Sequence, residues 1–308
     1  GASEIEAIYE AGGAGKDNPE CVAPPTGIVG WWPGDQNALD YAGTNNGTLN
    51  NSPGYAPAVV AQGFTFNGNN NVSIPDAPEL NPTNGLTVEA WINENGAHYD
   101  HRDLVSKDGE GYDRQFILTI SRDYGTFRAH VSTASGPYNI DGQTVVQPGT
   151  WYHVAMTYDA ASSNLLLYVN GQLDASGLVP GGATITTTQP VRIGGGAPAG
   201  YQQYYFTGSI DEPALYDRAL SAEEIEPLYA AGCAGKCKTD LDADGLPDAW
   251  ENYWFGGYSH NGDEWDDFNQ QTLLGDYQNG LDPTVIQFTI DVAKHYVNNN
   301  IVNAVATV

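Results

Sequence analysis

Residues 165–176 read LLLYVNGQLDAS. An apolar run ends at Val169, a second alternating run begins at Gln172, and Asn170-Gly171 stands between them. That dipeptide is the strongest short hairpin signal, because a two-residue turn of the right twist needs φ > 0 at both positions. The stretch therefore predicts two antiparallel strands. The same texture extends outward in both directions. "LTVEAWI" (86–92), "QFILTI" (115–120) and "WYHVAMTY" (151–158) alternate with period two, and Gly, Asn, Asp and Pro punctuate the runs. Short strands of this kind across residues 28–217, with no ten-residue helical pattern between them, argue for an all-β fold, a two-sheet antiparallel jelly-roll sandwich. A parallel α/β sheet would need the missing helices.

The chain has 308 residues and carries 38 acids against 11 bases, a formal net charge of −27. Clustered Lys and Arg are what phosphate backbones require, so nucleic acid is excluded as a partner. An anionic membrane surface is disfavoured for the same reason. No stretch approaches the roughly 20 apolar residues of a membrane span, and no signal peptide is visible. The chain opens at Gly1-Ala2 and closes inside an alternating apolar segment, which leads us to expect a piece of a longer secreted or cell-surface protein.

Helix is expected at the end of the strand block. "LSAEEIEPLYAAG" (220–232) has Ser221 at the N-cap, Glu224 three residues on and a closing glycine, a capping box with a C-terminal stop. Pro227 keeps this helix short or kinks it. The same text appears earlier: "SEIEAIYEAGGAGKD" (3–17) matches "AEEIEPLYAAGCAGKC" (222–237) almost residue by residue. Repetition this close implies tandem copies, with residues 1–20 the tail of an upstream repeat or a linker and 21–237 one full domain. Three cysteines, Cys21, Cys233 and Cys237, bracket that domain. The upstream text has Gly13 and Asp17 where this one has Cys233 and Cys237, so a bridge from Cys21 is expected, to Cys237 or alternatively to Cys233. Residues 238–283 differ in composition, acidic and aromatic, and 284–308 alternate like the start of a further β domain or partner strands.

Residues 27–231 resemble the laminin-G-like, concanavalin A-like jelly rolls of bacterial secreted proteins. The resemblance rests on "GIVGWWPGDQNALDYAGTNNGTL" (27–49), "GFTFNGNNNVSIPDAPELNPTNGLTVEAWI" (63–92), "PGTWYHVAMTYD" (148–159), the hairpin quoted above and "FTGSIDEPALYDRALSAEEI" (206–225). It implies two packed sheets, and recognition of a glycan or an extracellular protein by loops or a concave face. It also implies a structural calcium near the seam of the first and last strands, which here falls on Asn67, Gly68 and Asp211. Tyr138, Tyr201 and Tyr204 are the aromatics placed to stack on sugars.

"DLDADGLPDAWE" (240–251) resembles the calcium loop of thrombospondin type 3-like repeats and EF-hands. Asp240, Asp242 and Asp244 take the first, third and fifth positions, and Gly245 the turn. Leu246 offers its carbonyl at the seventh, Asp248 stands at the ninth and Glu251 at the twelfth. Six to eight oxygens at this spacing suit Ca²⁺. Pro247 can start a helix carrying Trp250 and Trp254 on one face. A second loop, "WDDFNQQTLLGDYQNGLDP" (265–283), is degenerate. It retains Asp267, Asn269 and Asp276, and Asp263 or Asp266 could compensate for the lost first ligand.

Catalysis finds little footing. The Glu-x-Asp-x-x-Glu strand of laminarinase-type enzymes is absent, since "LTVEAWI" contains only Glu89. Asp211 and Glu212, as neighbours on a strand, should face opposite sides. "HYDHRD" (98–103) offers His98 and His101 without a third metal ligand. The expected function is thus a non-catalytic calcium-binding module, for adhesion, recognition or spacing, beside neighbouring tandem domains of the same chain. The alternative is a carbohydrate-binding accessory domain of a multidomain secreted enzyme, such as a glycoside hydrolase or protease.

Overall fold

The computed structural model describes residues 21–96, 100–109, 113–196, 204–257, 260–266, 269 and 271–284. They divide into two compact units, one ending at Lys238 and the other starting at Thr239. The expected upstream tail (1–20) and nearly all of the expected C-terminal strands (285–308) lie outside the described residues.

In the first unit the strands are β1 (Ile28–Trp31), β2 (Thr48–Asn50), β3 (Gly54–Pro57), β4 (Gln62–Asn67), β5 (Asn71–Ile74), β6 (Gly85–Glu94), β7 (Arg102–Asp108) and β8 (Arg114–Ile120). There follow β9 (Thr126–Thr133), β10 (Gly136–Val145), β11 (Trp151–Asp159), β12 (Asn164–Val169), β13 (Gln172–Leu178), β14 (Val191–Ile193) and β15 (Thr207–Tyr216). They form two sheets. One runs β13-β12-β11-β6-β15-β4-β3 with β1 added on β15, and the other runs β10-β9-β8-β7-β14-β5-β2. Every pairing of named strands is antiparallel, as in a jelly-roll sandwich. The β12–β13 turn has Asn170 at φ +50° and Gly171 at φ +74°, the double positive φ that the dipeptide implied.

The core between the sheets is built from alternate residues of each strand. Leu86, Val88, Ala90 and Ile92 of β6 meet Phe116 and Leu118 of β8 and Phe127 and Val131 of β9. Alternation predicts only this one buried face. In the structure the other face of β6 is buried too, because a helix covers it. That helix, α1 (Ala222–Ala230), seats Ile225 and Leu228 against Trp31, Ala155, Tyr168, Ala214 and Tyr216 on the outside of the eight-stranded sheet. Its capping box forms, with the Ser221 N–H donating to Glu224 Oε2 at 2.9 Å. Past α1 the chain runs beside the start of the domain. Val22 and Lys236 form a parallel bridge, a disulfide joins Cys21 to Cys237, and Cys233 is free and exposed.

The second unit contains α2 (Asp248–Phe255), a minimal hairpin of β16 (Trp265–Asp266) and β17 (Gln271–Thr272), and α3 (Leu273–Asn279). Its small core forms where Trp250 of α2 meets Phe255 and Tyr277 edge-on, at 5.7 and 6.0 Å. Trp254 instead lies against Tyr253 at 4.7 Å. Gly256 and Gly280 close the two helices in the left-handed region, where a glycine costs least.

Candidate functional site

The acidic loop is built by its own backbone. Ala243 and Gly245 adopt φ of +58° and +93°, which curls the chain back over Asp240. The Asp240 carboxylate accepts the N–H groups of Asp244 and Gly245 at 3.3 and 3.0 Å. Asp244 Oδ1 accepts from Leu246 N–H at 2.8 Å, and Asp248 Oδ1 from Leu241 N–H at 2.9 Å. The Leu246 side chain is fully buried, which pins the loop to the unit's interior. One carboxylate oxygen from each of Asp240, Asp242 and Asp244 lies within 4.8 Å of the others.

Glu251 is the telling residue. It is buried on α2, and neither of its oxygens has a hydrogen-bond partner. Burial, and then Asp242, Asp244, Asp248 and Asp240, push its carboxyl up to about 7. Burial, together with Asp244 and Asp240, also raises Asp242. None of the ion pairs among the described residues involves these carboxylates. A buried carboxylate without donors is costly, and a hard cation bound by hard oxygens is the chemistry that satisfies it. The residues present therefore fit a calcium ion.

The second loop is arranged differently. Asp276 is fully buried, its Oδ1 accepts from Gln271 Nε2 at 2.7 Å, and its Oδ2 has no partner. Burial and the nearby Asp266 lift Asp276 to about 6. Asn269 is tied up, its N–H donating to Asp266 Oδ2 at 3.2 Å and its Nδ2 to the Asp282 carbonyl at 2.9 Å. Of the two acids that could compensate for the lost first ligand, Asp266 is buried and Asp263 is exposed. Asp267 lies outside the described residues.

In the sandwich, the set Asn67, Gly68 and Asp211 does not come together. Thr207 pairs with Asn67 and Ile210 with Phe64, so Asp211 lies four ladder positions away, about 13 Å along the strand. Asn67 and Gly68 make the β4–β5 turn, with Asn67 Oδ1 accepting from Asn69 N–H at 3.0 Å. Asp211 accepts instead from Val60 N–H at 2.8 Å. The tyrosine platform also separates. Tyr138 sits on β10 and packs into the core, whereas Tyr204 lies edge-on to His101 at 5.3 Å, and its carbonyl accepts from Asp103 N–H on β7. Three strand spacings part β10 from β7 in their sheet. Tyr201 and His98 lie outside the described residues.

A polar cluster on the outer face of the eight-stranded sheet was not anticipated. Alternation would send Glu212 into the core. A bulge in β15, with Glu212 at φ +59°, turns it outward on the same side as Asp211 and Glu89. Lys236 Nζ lies 2.8 Å from Glu89 Oε1, 3.1 Å from Glu212 Oε2 and 5.2 Å from the Trp31 ring. His153 Nε2 is 3.1 Å from Glu89 Oε2, and Trp31 Nε1 donates to Glu212 Oε2 at 2.9 Å. Next to it Lys238 pairs with Asp35. Asp211, Glu89, Glu212, His153 and Lys236 are all at most 5% exposed. The two glutamates are thus a carboxylate pair, both almost fully buried and both paired with Lys236. The one sequence signal was the repeated Ala-Gly-Lys, which keeps a lysine at positions 16 and 236.

The Laminin_G_3 family, described as the concanavalin A-like lectin/glucanases superfamily, matches residues 66–226, just over half of the chain. A Rattus norvegicus protein, sushi, von Willebrand factor type A, EGF and pentraxin domain-containing protein 1, is 28% identical over 150 residues, which are 46% of this chain and 4% of that protein. The chain thus spans only a small part of that relative. Among solved structures, domain 4 of AbnA, an extracellular arabinanase from Geobacillus stearothermophilus, in complex with arabinotriose, aligns with a TM-score of 0.52 at 19% identity, over 65% of this chain and 96% of that one. The binding domain of Paraclostridial Mosquitocidal Protein 1 aligns at 0.54 with 16% identity, over 66% and 52%. At these identities the likeness is one of fold.

Proposed function

The chain belongs to the concanavalin A-like lectin/glucanases superfamily, and from that premise we propose that it is a non-catalytic recognition module, secreted or displayed at a cell surface, with a calcium-binding unit following its sandwich. The ion is held by Asp240, Asp242, Asp244, the Leu246 carbonyl, Asp248 and Glu251. The observation that carries this reading is Glu251, buried with both oxygens unpartnered beside the three clustered aspartates. Bound calcium would supply the positive charge that this loop's own side chains lack. Asp276, with Asp266 and Asn269, is a poorer second set, since Asn269 is already engaged. The repeated text at 3–17 and 222–237 supports tandem neighbours in the same protein. Calorimetric titration of the chelator-stripped chain tests the assignment. We expect one principal site that Asp244→Ala removes, and equal calcium uptake by both proteins would overturn it.

The partner of the sandwich is a glycan or an extracellular protein. The likeness to an arabinanase domain that binds arabinotriose favours the accessory-domain version of this reading, in which any catalytic part is carried elsewhere. Because Glu89 and Glu212 are almost fully buried and paired with Lys236, we expect no release of reducing ends from arabinan, xylan or β-glucan above a heat-killed control. Turnover that survives repurification would sink the non-catalytic assignment.

A further inference from the structure

The second half of the acidic unit reaches back into the first loop at one point. The N–H of Gly262 donates to Asp244 Oδ2 at 2.7 Å, while Leu246 N–H holds Asp244 Oδ1 at 2.8 Å. The fifth-position carboxylate is therefore fixed from two sides, by its own loop and by a residue eighteen positions on. The contact is tight. A Cβ on Gly262 would lie 2.6 Å from the Asp244 carbonyl oxygen and 3.3 Å from Leu274 Cβ. Leu274 N–H donates to the Gly262 carbonyl at 2.9 Å, and its side chain lies over the loop's turn, with Cδ1 3.5 Å from where a Cβ on Gly245 would stand. We infer that Gly262 is a positioning residue for the calcium site. The degenerate half of the unit works chiefly as a clamp: it aims the Asp244 carboxylate at Asp240 and Asp242 and holds the Gly245 turn closed.

The inference rests on the calcium reading above and adds a residue that offers no side chain to an ion. Groups that orient metal ligands typically cost 10–100-fold in metal affinity when lost. The test is calcium titration of the stripped full chain, comparing wild type with Gly262→Ala and Gly257→Ala. A Cβ on Gly257 meets nothing within 4 Å, so that variant is the control. We expect Gly262→Ala to weaken calcium binding by roughly 10–100-fold at unchanged stoichiometry, and Gly257→Ala to match wild type. An independent measurement avoids the risk that Gly262→Ala misfolds. In ¹⁵N-labelled wild type, the Gly262 amide should shift on the same calcium titration curve as Gly245 and be protected from exchange. Equal affinity in Gly262→Ala, or a Gly262 amide that is calcium-silent while Gly245 moves, overturns the clamp and leaves the calcium site standing. A wild type that takes up no calcium removes both.

Discussion

If the unit beginning at Thr239 holds calcium as proposed, stripping the ion at neutral pH should cost it α2 and α3 while the sandwich keeps its β signal. The carboxylates of Asp240, Asp242, Asp244, Asp248 and Glu251 converge without a lysine or arginine among their ion pairs in the described residues. So short a unit has little apolar core to offset their repulsion. A ligand that binds only the folded form adds about 4 kcal/mol when present at a thousand times its Kd, a large share of any small domain's 5–15 kcal/mol or so. The pH dependence gives the prediction a second edge. Glu251 stands near 7 in the folded unit against an ordinary 4.5, raised by burial and its acidic neighbours. Asp276 stands near 6 against 3.8. With both carboxyls raised on folding, the folded form binds protons that the unfolded form releases. Their contribution is thus full below about pH 4 and fades as pH rises through 7. Calcium-free protein should regain helicity when taken from pH 8 to pH 5. Calcium-loaded protein should respond oppositely, since acid competes with the ion. Far-UV CD and amide exchange, with and without chelator at both pH values, read the outcome. Helices that persist at pH 8 after verified calcium removal would show that the aromatic contacts around Trp250 suffice alone.

What could be read from the residues alone followed how local each cause is. The hairpin at Asn170-Gly171 and the capping box at Ser221 and Glu224 are decided within a few residues, and both appear where the text places them. The period-two runs led to the sandwich for the same reason. What escaped depends on which strands meet and in what register. Asn67 and Asp211 sit on paired strands, yet four rungs apart. Tyr138 sits on β10, whereas Tyr204 lies in the segment before β15 and is bonded to β7, three strand spacings from β10. Alternation misplaced Glu212 because its positive φ is carried by a glutamate, with no glycine to announce the bulge. Burial of the second face of β6 required knowing that α1 and the following tail lie across it, information held some 130 residues away.

The same distant tail brings in Lys236, the cation that the buried Glu89 and Glu212 share. Burial works against its charge, but Glu89 and Glu212 more than offset this and carry its pKa above the ordinary lysine range. It therefore stays protonated throughout pH 5–8, and its stabilising contribution, lost only at still higher pH, is constant across that window. Lys236→Met keeps much of the volume and removes the cation. Glu89 would then keep its contact with His153, and Glu212 the hydrogen bond from the Trp31 N–H, but both would lose the lysine they share. Removing one partner of a buried ion pair typically costs about 3–5 kcal/mol, which for a domain of this size lowers Tm by on the order of 10 °C. The disulfide next to it acts by another route. It closes a 216-residue separation, worth about 5 kcal/mol by chain entropy if unstrained, and that term does not depend on pH between 5 and 8. The two causes are therefore separable. In Lys236→Met the abandoned glutamates should take up protons as the pH falls, so the deficit should be largest at pH 8 and shrink by pH 5. In Cys237→Ser it should stay constant. Adding Glu89→Gln to Lys236→Met should recover part of the loss, because the second change removes the charge the first one stranded. Urea unfolding of the four proteins at both pH values measures this. A Lys236→Met deficit equal at pH 8 and pH 5, with no gain from Glu89→Gln, would mean that the lysine serves by packing on Trp31 and that its charge is incidental.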